Sequence, residues 1–194
     1  GVGKNLTIYT WGSIEGVLGR TVAEVPTDPC VVVAKDAAVA IPLCSQNQSQ
    51  AAPAGEGVVF LETTSPKSGE YQLTRFDANG RLIYQRKYAG TVRAVSASAR
   101  DSVLKATIKG FPASEGILKA AGTAIPTVWP VVRHMFVGAE GTVWVQMSQD
   151  PSKGQPYEWR RYDERGMPTG IIRLPRDTRV VASHRQGIYV IEAD

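Results

Sequence analysis

Histidine and cysteine are the side chains most often recruited to hold metals or attack substrates, and this chain of 194 residues has two of each: His134 and His184, Cys30 and Cys44. A metal site needs the histidines to converge with carboxylates, and the sequence has no paired-His motif and no Cys-x-x-Cys. His134 stands beside Arg133 before an apolar strand and His184 at a hairpin turn before Gly187, which gives both a structural role. There is no Gly-x-Ser-x-Gly elbow and neither His has a recognisable Ser partner, although a triad can assemble from distant positions. Gly1-Val2-Gly3-Lys4 has the ending of a phosphate loop without its strand, its first Gly or its Ser/Thr. The segments Asp77–Gly80 and Asp163–Gly166 each offer one or two oxygens where calcium takes six to eight, and turn formation accounts for them. These residues point to no catalytic group, no cofactor and no resident metal.

The residues suited to binding are more informative. Trp129 lies on a connection between Pro126 and Pro130 and is the candidate for an exposed anchor, since such aromatics dominate interface energetics. The net charge is +4, mildly basic. Acids interleave with bases nearly everywhere, unlike the single basic stripe of a nucleic-acid binder. The densest basic stretch, from Arg160 through Arg161, Arg165, Arg173, Arg176 and Arg179 to Arg185, includes Glu158, Asp163, Glu164 and Asp177 among or beside its arginines. It reads as a solvated strand face or as a docking surface for an acidic partner or anionic lipid. Arg173, Arg176, Arg179 and Arg185 join Trp129 as candidate interface residues.

The elements that must position these residues are strands. Hydrophobic residues make up 43% and charged residues 21%, as expected of a folded domain, and residues 1–194 are read as one. No apolar run reaches the roughly 18 to 20 residues needed to cross a bilayer. Gly1 follows no initiator Met and no leader, so a processed product or part of a longer chain is expected. Alternating or β-branched runs bounded by turn residues predict strands at Leu6–Trp11, Arg20–Val25, Val58–Glu62, Tyr71–Phe76, Arg81–Tyr88, His134–Val137, Thr142–Met147, Glu158–Tyr162, Gly170–Leu174, Arg179–Ser183 and Ile188–Glu192. Residues 98–124 break the pattern, with Val103, Leu104, Ile108, Ile117 and Leu118 at helical spacing, and predict two short inserted helices. Gln46–Gly57, polar and rich in Ala, Gln and Gly, predicts a mobile surface loop. Between the cysteines, Val31–Ala34 and Val39–Leu43 predict a hairpin. If its tip is Ala37, Cys30 faces Cys44, and directly opposed Cβ atoms roughly 4.5–5.5 Å apart can reach disulfide geometry with slight adjustment. That favours a disulfide, worth roughly 3 kcal/mol in the chain-entropy model, over two buried thiols, and with it the periplasm or an outer surface.

The chain also repeats itself. Val58–Gly80 has a counterpart in Thr142–Gly166, roughly 85 residues on, about two blade lengths of a propeller. Each copy runs from a short strand through a loop to a strand ending in aromatic-Asp-x-x-Gly, then to a third strand. On this alignment Trp144 and Trp159 take the places of Phe60 and Leu73, which makes them packing residues. A fainter pair matches Cys30–Leu43 with Arg179–Ala193. Gly141–Ser148 (GTVWVQMS), Tyr157–Gly166 (YEWRRYDERG) and Gly170–Pro175 (GIIRLP) resemble a terminal blade of bacterial, usually exported, six-bladed NHL-like β-propellers. Glu70–Tyr88 (EYQLTRFDANGRLIYQRKY) resembles an earlier blade. The resemblance covers most of Gly57–Asp194. It implies an all-β fold, a partial propeller of four-stranded antiparallel blades with a helical insertion near 98–124. Six blades of about 40–45 residues need well over 194, and an open arc leaves sheet edges to be paired or covered. Some six-bladed propellers are calcium-dependent hydrolases, whose converging carboxylates and amides are not recognisable here.

Absent chemistry, the expected disulfide, mild positive charge and open edges predict a non-catalytic protein–protein interaction or scaffold module. Its expected place is the periplasmic or extracellular side, as an extrinsic subunit bracing a respiratory or photosynthetic membrane complex. Contact with an anionic membrane surface is compatible with its charge, and nucleic acid is not an expected partner. The alternatives are a propeller hydrolase or lyase whose site is shared with a further N-terminal half, and a carbohydrate-binding propeller using Trp129 and the tyrosines.

Overall fold

The computed structural model describes residues 6–12, 18–26, 31–34, 37–40, 49–65, 67–109, 125–149, 154–184 and 187–192. Their fold is mostly β, with antiparallel sheets and one helix among the described residues. Strands β1 (Leu6–Gly12) and β2 (Leu18–Pro26) form one hairpin, and β3 (Val31–Ala34) and β4 (Ala37–Ala40) another. Two four-stranded meanders follow. The first consists of β5 (Gln50–Ala54), β6 (Gly57–Ser65), β7 (Glu70–Phe76) and β8 (Leu82–Ala89); the second of β9 (Val132–Val137), β10 (Val143–Met147), β11 (Tyr157–Tyr162) and β12 (Pro168–Leu174). A terminal hairpin pairs β13 (Thr178–His184) with β14 (Gly187–Glu192).

The two meanders are built alike, as the repeat predicts. In each, the third strand ends in an Asp turn of identical hydrogen bonding. Asp77 Oδ1 accepts from the N–H groups of Asn79 and Arg81, and Asp163 Oδ1 from those of Arg165 and Met167. Gly80 N and Gly166 N donate to the carbonyls of Asp77 and Asp163, and the two glycines have φ of 70° and 76°. That left-handed position closes the turn, and it is one that glycine adopts without steric cost. Pairing corrects one detail of the repeat: Val58 opposes Phe76 as Val143 opposes Tyr162, so Trp144 corresponds to Val59 and not to Phe60. Trp159 does correspond to Leu73, and both tryptophans are buried.

The meanders pack face to face. Val59, Leu61, Tyr71, Leu73 and Tyr84 of the first meet Met135, Val143, Val145, Met147 and Tyr162 of the second in one core. Most tyrosine hydroxyls there find a partner: Tyr71 and Tyr162 bond through their hydroxyls, and Tyr88 Oη donates to the Gly166 carbonyl, whereas the buried Tyr84 hydroxyl has none among the described residues. Arginines stitch the rim, with Arg75, Arg86 and Arg160 donating to the carbonyls of Glu164, Arg165 and Ala89.

Three expectations need correction. Gln46–Gly57 is not a loop throughout, because Gln50–Ala54 is β5, an edge strand beside β9. Small residues suit this close approach, and the Gln50 carboxamide donates to Arg133 O and accepts from Met135 N, satisfying the open edge of β9. The β3–β4 hairpin is centred earlier than Ala37: Val31 pairs with Ala40, whereas the register that levels Cys30 with Cys44 needs Val31 opposite Leu43. The cysteines themselves lie outside the described residues. Trp129, expected as an exposed anchor, is only 7% exposed. It packs with Val95 and Ile125 against Ala99, Val103 and Leu104 of helix α1 (Ala97–Lys109), beside the Ala94–Val128 bridge. Ser96 caps α1, its Oγ accepting from Ala99 N at 3.1 Å. The second helix expected in 98–124, with its start at Ser114, falls in residues 110–124, outside the described ones.

Candidate functional site

The terminal hairpin packs on the other face of the second meander. There Gly138 of the β9–β10 turn approaches Ser183 of β13 so closely that a Cβ on Gly138 would lie 2.0 Å from Ser183 Oγ. Next to this contact the two walls part and leave a pocket of about 550 Å³. Arg133, His134 and Phe136 line it from β9, Gln146 from β10, Tyr157 and Trp159 from β11, and Thr178, Arg179, Val180 and Val181 from β13, with Arg176 just before it.

Strand alternation would send neighbouring residues to opposite faces. Two β-bulges defeat that rule here. Gln146 pairs with His134 but Met147 with Val132, which leaves Arg133 as the unopposed residue on β9. Val180 pairs with Val190 but Ala182 with Tyr189, which does the same for Val181 on β13. Bulges re-aim side chains, and these two let Arg133 with His134, and Val180 with Val181, line a single cavity.

The pocket is cationic. Two guanidiniums approach the Tyr157 ring, with Arg133 Cζ 4.9 Å and Arg176 Cζ 5.5 Å from its centroid. Arg133 also donates to Tyr157 Oη, and Arg176 Nε to Gln155 O at 2.8 Å. The His134 ring meets Trp159 edge to face at 6.3 Å. The pocket walls desolvate His134, and the positive charges of Arg179 and Arg133 oppose its imidazolium, so its pKa is held below the ordinary histidine value. No carboxylate is among the described lining residues.

Of the arginines expected at an interface, Arg176 and Arg179 are brought together in this pocket. Arg173 is not: on β12 it pairs at 3.8 Å with Glu158, which also holds Arg160 at 3.1 Å. Arg185 lies outside the described residues. Arg133, His134 and Tyr157 were not expected to act together. The available signal was a consecutive Arg-His inside the otherwise apolar strand Val132–Val137.

A second feature adjoins the pocket. The terminal hairpin has two strands where each meander has four, and it exposes Val181, Tyr189, Val190 and Ile191, with Tyr189 61% and Ile191 52% accessible. Among the described residues, no three His, Cys, Asp or Glu side chains gather closely enough to hold a metal ion, and no helix is long and apolar enough to cross a membrane. Compared with family models, with curated proteins and with solved structures, the chain matches none.

Proposed function

We propose that this protein is a non-catalytic interaction module, an arc of propeller-like blades whose unfinished terminal sheet docks a partner protein. The observation that carries this is the terminal hairpin: an antiparallel pair with exposed apolar side chains beside complete four-stranded sheets. An isolated two-stranded sheet is marginal in water, and an open strand edge is a template for an added strand. Main-chain bonds along that edge would supply affinity, and Tyr189 and Ile191 would enter pockets of the partner. The partner is envisaged as a subunit of a membrane protein complex on the periplasmic side, the compartment implied by the resemblance to exported propellers. The basic residues near the hairpin suit an acidic partner surface.

A photoreactive amino acid in place of Ile191 tests the docking edge, with Ile83 of β8, itself exposed, as the control position. In solubilised envelope membranes the position-191 protein should cross-link to one membrane-complex subunit, and Ile191→Ser should abolish capture of that subunit by the unlabelled chain. Equal cross-linking from both positions, or none from position 191, would overturn the proposal.

A further inference from the structure

We infer that the pocket between the second meander and the terminal hairpin is a binding site for an oxyanion, a phosphate or carboxylate, carried on an aromatic body. The site adjoins the terminal hairpin, but the inference does not depend on the docking of a partner there.

Four observations support the inference, and the first is charge. Arg133 with His134 on β9, and Arg176 with Arg179 at β13, come from two parts of the chain to line one cavity, and none of the described lining residues is acidic. Guanidiniums match the planar geometry of carboxylate and phosphate oxygens and bond them with charge assistance. The second is aromatic content. Phe136, Tyr157 and Trp159 line the same walls, and a cavity of about 550 Å³ is of the size that encloses a small molecule. The third is the pair of bulges. Arg133 and Val181 are the residues each bulge leaves unopposed, and both turn toward this space.

The fourth is His134. Arg133 on its own strand and Arg179 on β13 face it; from β10 and β11 it meets the neutral Gln146, Tyr157 and Trp159. Desolvation by the pocket walls is the main cause of its lowered pKa, and the positive charges of Arg179 and Arg133 add to it; that second part is what an anion would offset. A bound oxyanion therefore favours the imidazolium, and by linkage its affinity rises as pH falls through the bound-state pKa.

The test uses the two histidines of the chain as reporters. Imidazole resonances of the full chain are followed by NMR with phenyl phosphate, benzoate and inorganic phosphate, and His184→Gln assigns the signal of His134. Phenyl phosphate or benzoate should produce a saturable shift of His134 alone and raise its pKa by about one unit, equivalent to about tenfold tighter binding at low pH than at high pH. Whichever of the two binds more tightly identifies the oxyanion, and inorganic phosphate, lacking the ring, should bind more weakly than phenyl phosphate. Arg179→Gln should weaken the tighter probe by about tenfold or more, the loss of one charge-assisted bond. Arg173→Gln, outside the pocket, should leave it unchanged. Should Arg133→Gln disturb folding through Tyr157, the exposed Arg179 still decides the matter. No saturable shift with either aromatic probe, or equal affinity in the Arg179→Gln and Arg173→Gln proteins, would overturn the inference. Equal binding of inorganic phosphate and phenyl phosphate would overturn its aromatic part.

Discussion

Replacing Gly166 by alanine probes the face-to-face packing of the two meanders at one atom. Gly166 has φ of 76°, where an L-residue costs about 1–2 kcal/mol. A Cβ there would also lie 2.8 and 3.0 Å from Tyr84 Cε2 and Cδ2, and 3.1 Å from Tyr88 Oη. Tyr84 is buried and Tyr88 is tied by its hydroxyl to the Gly166 carbonyl, so neither ring can yield freely. Overpacking of this kind costs a further 1–3 kcal/mol or about that, and the sum is about 2–5 kcal/mol. Gly55 supplies the comparison, because its φ is 62° but a Cβ on it would meet nothing within 4 Å. Gly55→Ala should therefore lose only the backbone part, about 1–2 kcal/mol. Urea unfolding followed by tryptophan fluorescence gives both values. In a domain of this size each 1 kcal/mol lowers Tm by about 2–4 °C. Equal losses at the two positions would mean that the Gly166 turn does not rest on the first meander, and the stacked arrangement would fall with it.

Gln50→Ala should cost about 1–3 kcal/mol by leaving Arg133 O and Met135 N of the β9 edge without their side-chain partner; amide exchange at Met135 should quicken, and unchanged protection there would refute the bridging role. Trp129→Ala should cost about 3–5 kcal/mol and strip exchange protection from α1 before the meanders lose theirs; a surface-like loss under about 0.5 kcal/mol would restore Trp129 as an exposed residue. Burial pushes the Tyr84 hydroxyl up to about 12, and pushes Tyr88 and Tyr162 higher still, helped by neighbouring tyrosines. The unfolded chain loses these protons near pH 10 and the folded chain does not, so stability is complete below about pH 10 and falls as pH rises beyond it. Urea midpoints that stay level from pH 8 to 11 would contradict that burial.

Much of the scaffold could be read from residue pattern because its signals are local. Asp77–Gly80 and Asp163–Gly166 specify their turns within four residues, and the β-branched and aromatic residues on either side mark the strands they join. β5 escaped notice because its small and polar residues carry no hydrophobic alternation; its reason for being a strand is the neighbouring edge of β9, which is distant in sequence. Trp129 misled for a similar reason. Flanking prolines mark a connection, yet the ring is covered by a helix whose own sequence says nothing of where it packs. The pocket was half legible. Arg176 and Arg179 stood out by composition, but Arg133 and His134 join them only through a bulge, and a bulge depends on the register of a partner strand.

That dependence bears on why the pocket exists at all. Several register shifts in the meanders sit beside tight turns: those at Phe76 and Tyr162 adjoin the Asp turns, and the one between Thr63 and Ser65 adjoins the β6–β7 connection. Turn geometry with a glycine at positive φ brings such shifts with it. Arg133 and Val181 stand at no such turn, and each interrupts its ladder with an unopposed residue. The two interruptions lie on different sheets and line the same cavity. Packing would not favour an arginine as the re-aimed residue, since gathering three guanidiniums and an imidazole around one pocket adds like-charge repulsion while it is empty. A bound oxyanion supplies what the fold alone lacks, a negative charge facing Arg133, which the β9 bulge leaves unopposed, and the arginines of the opposite wall.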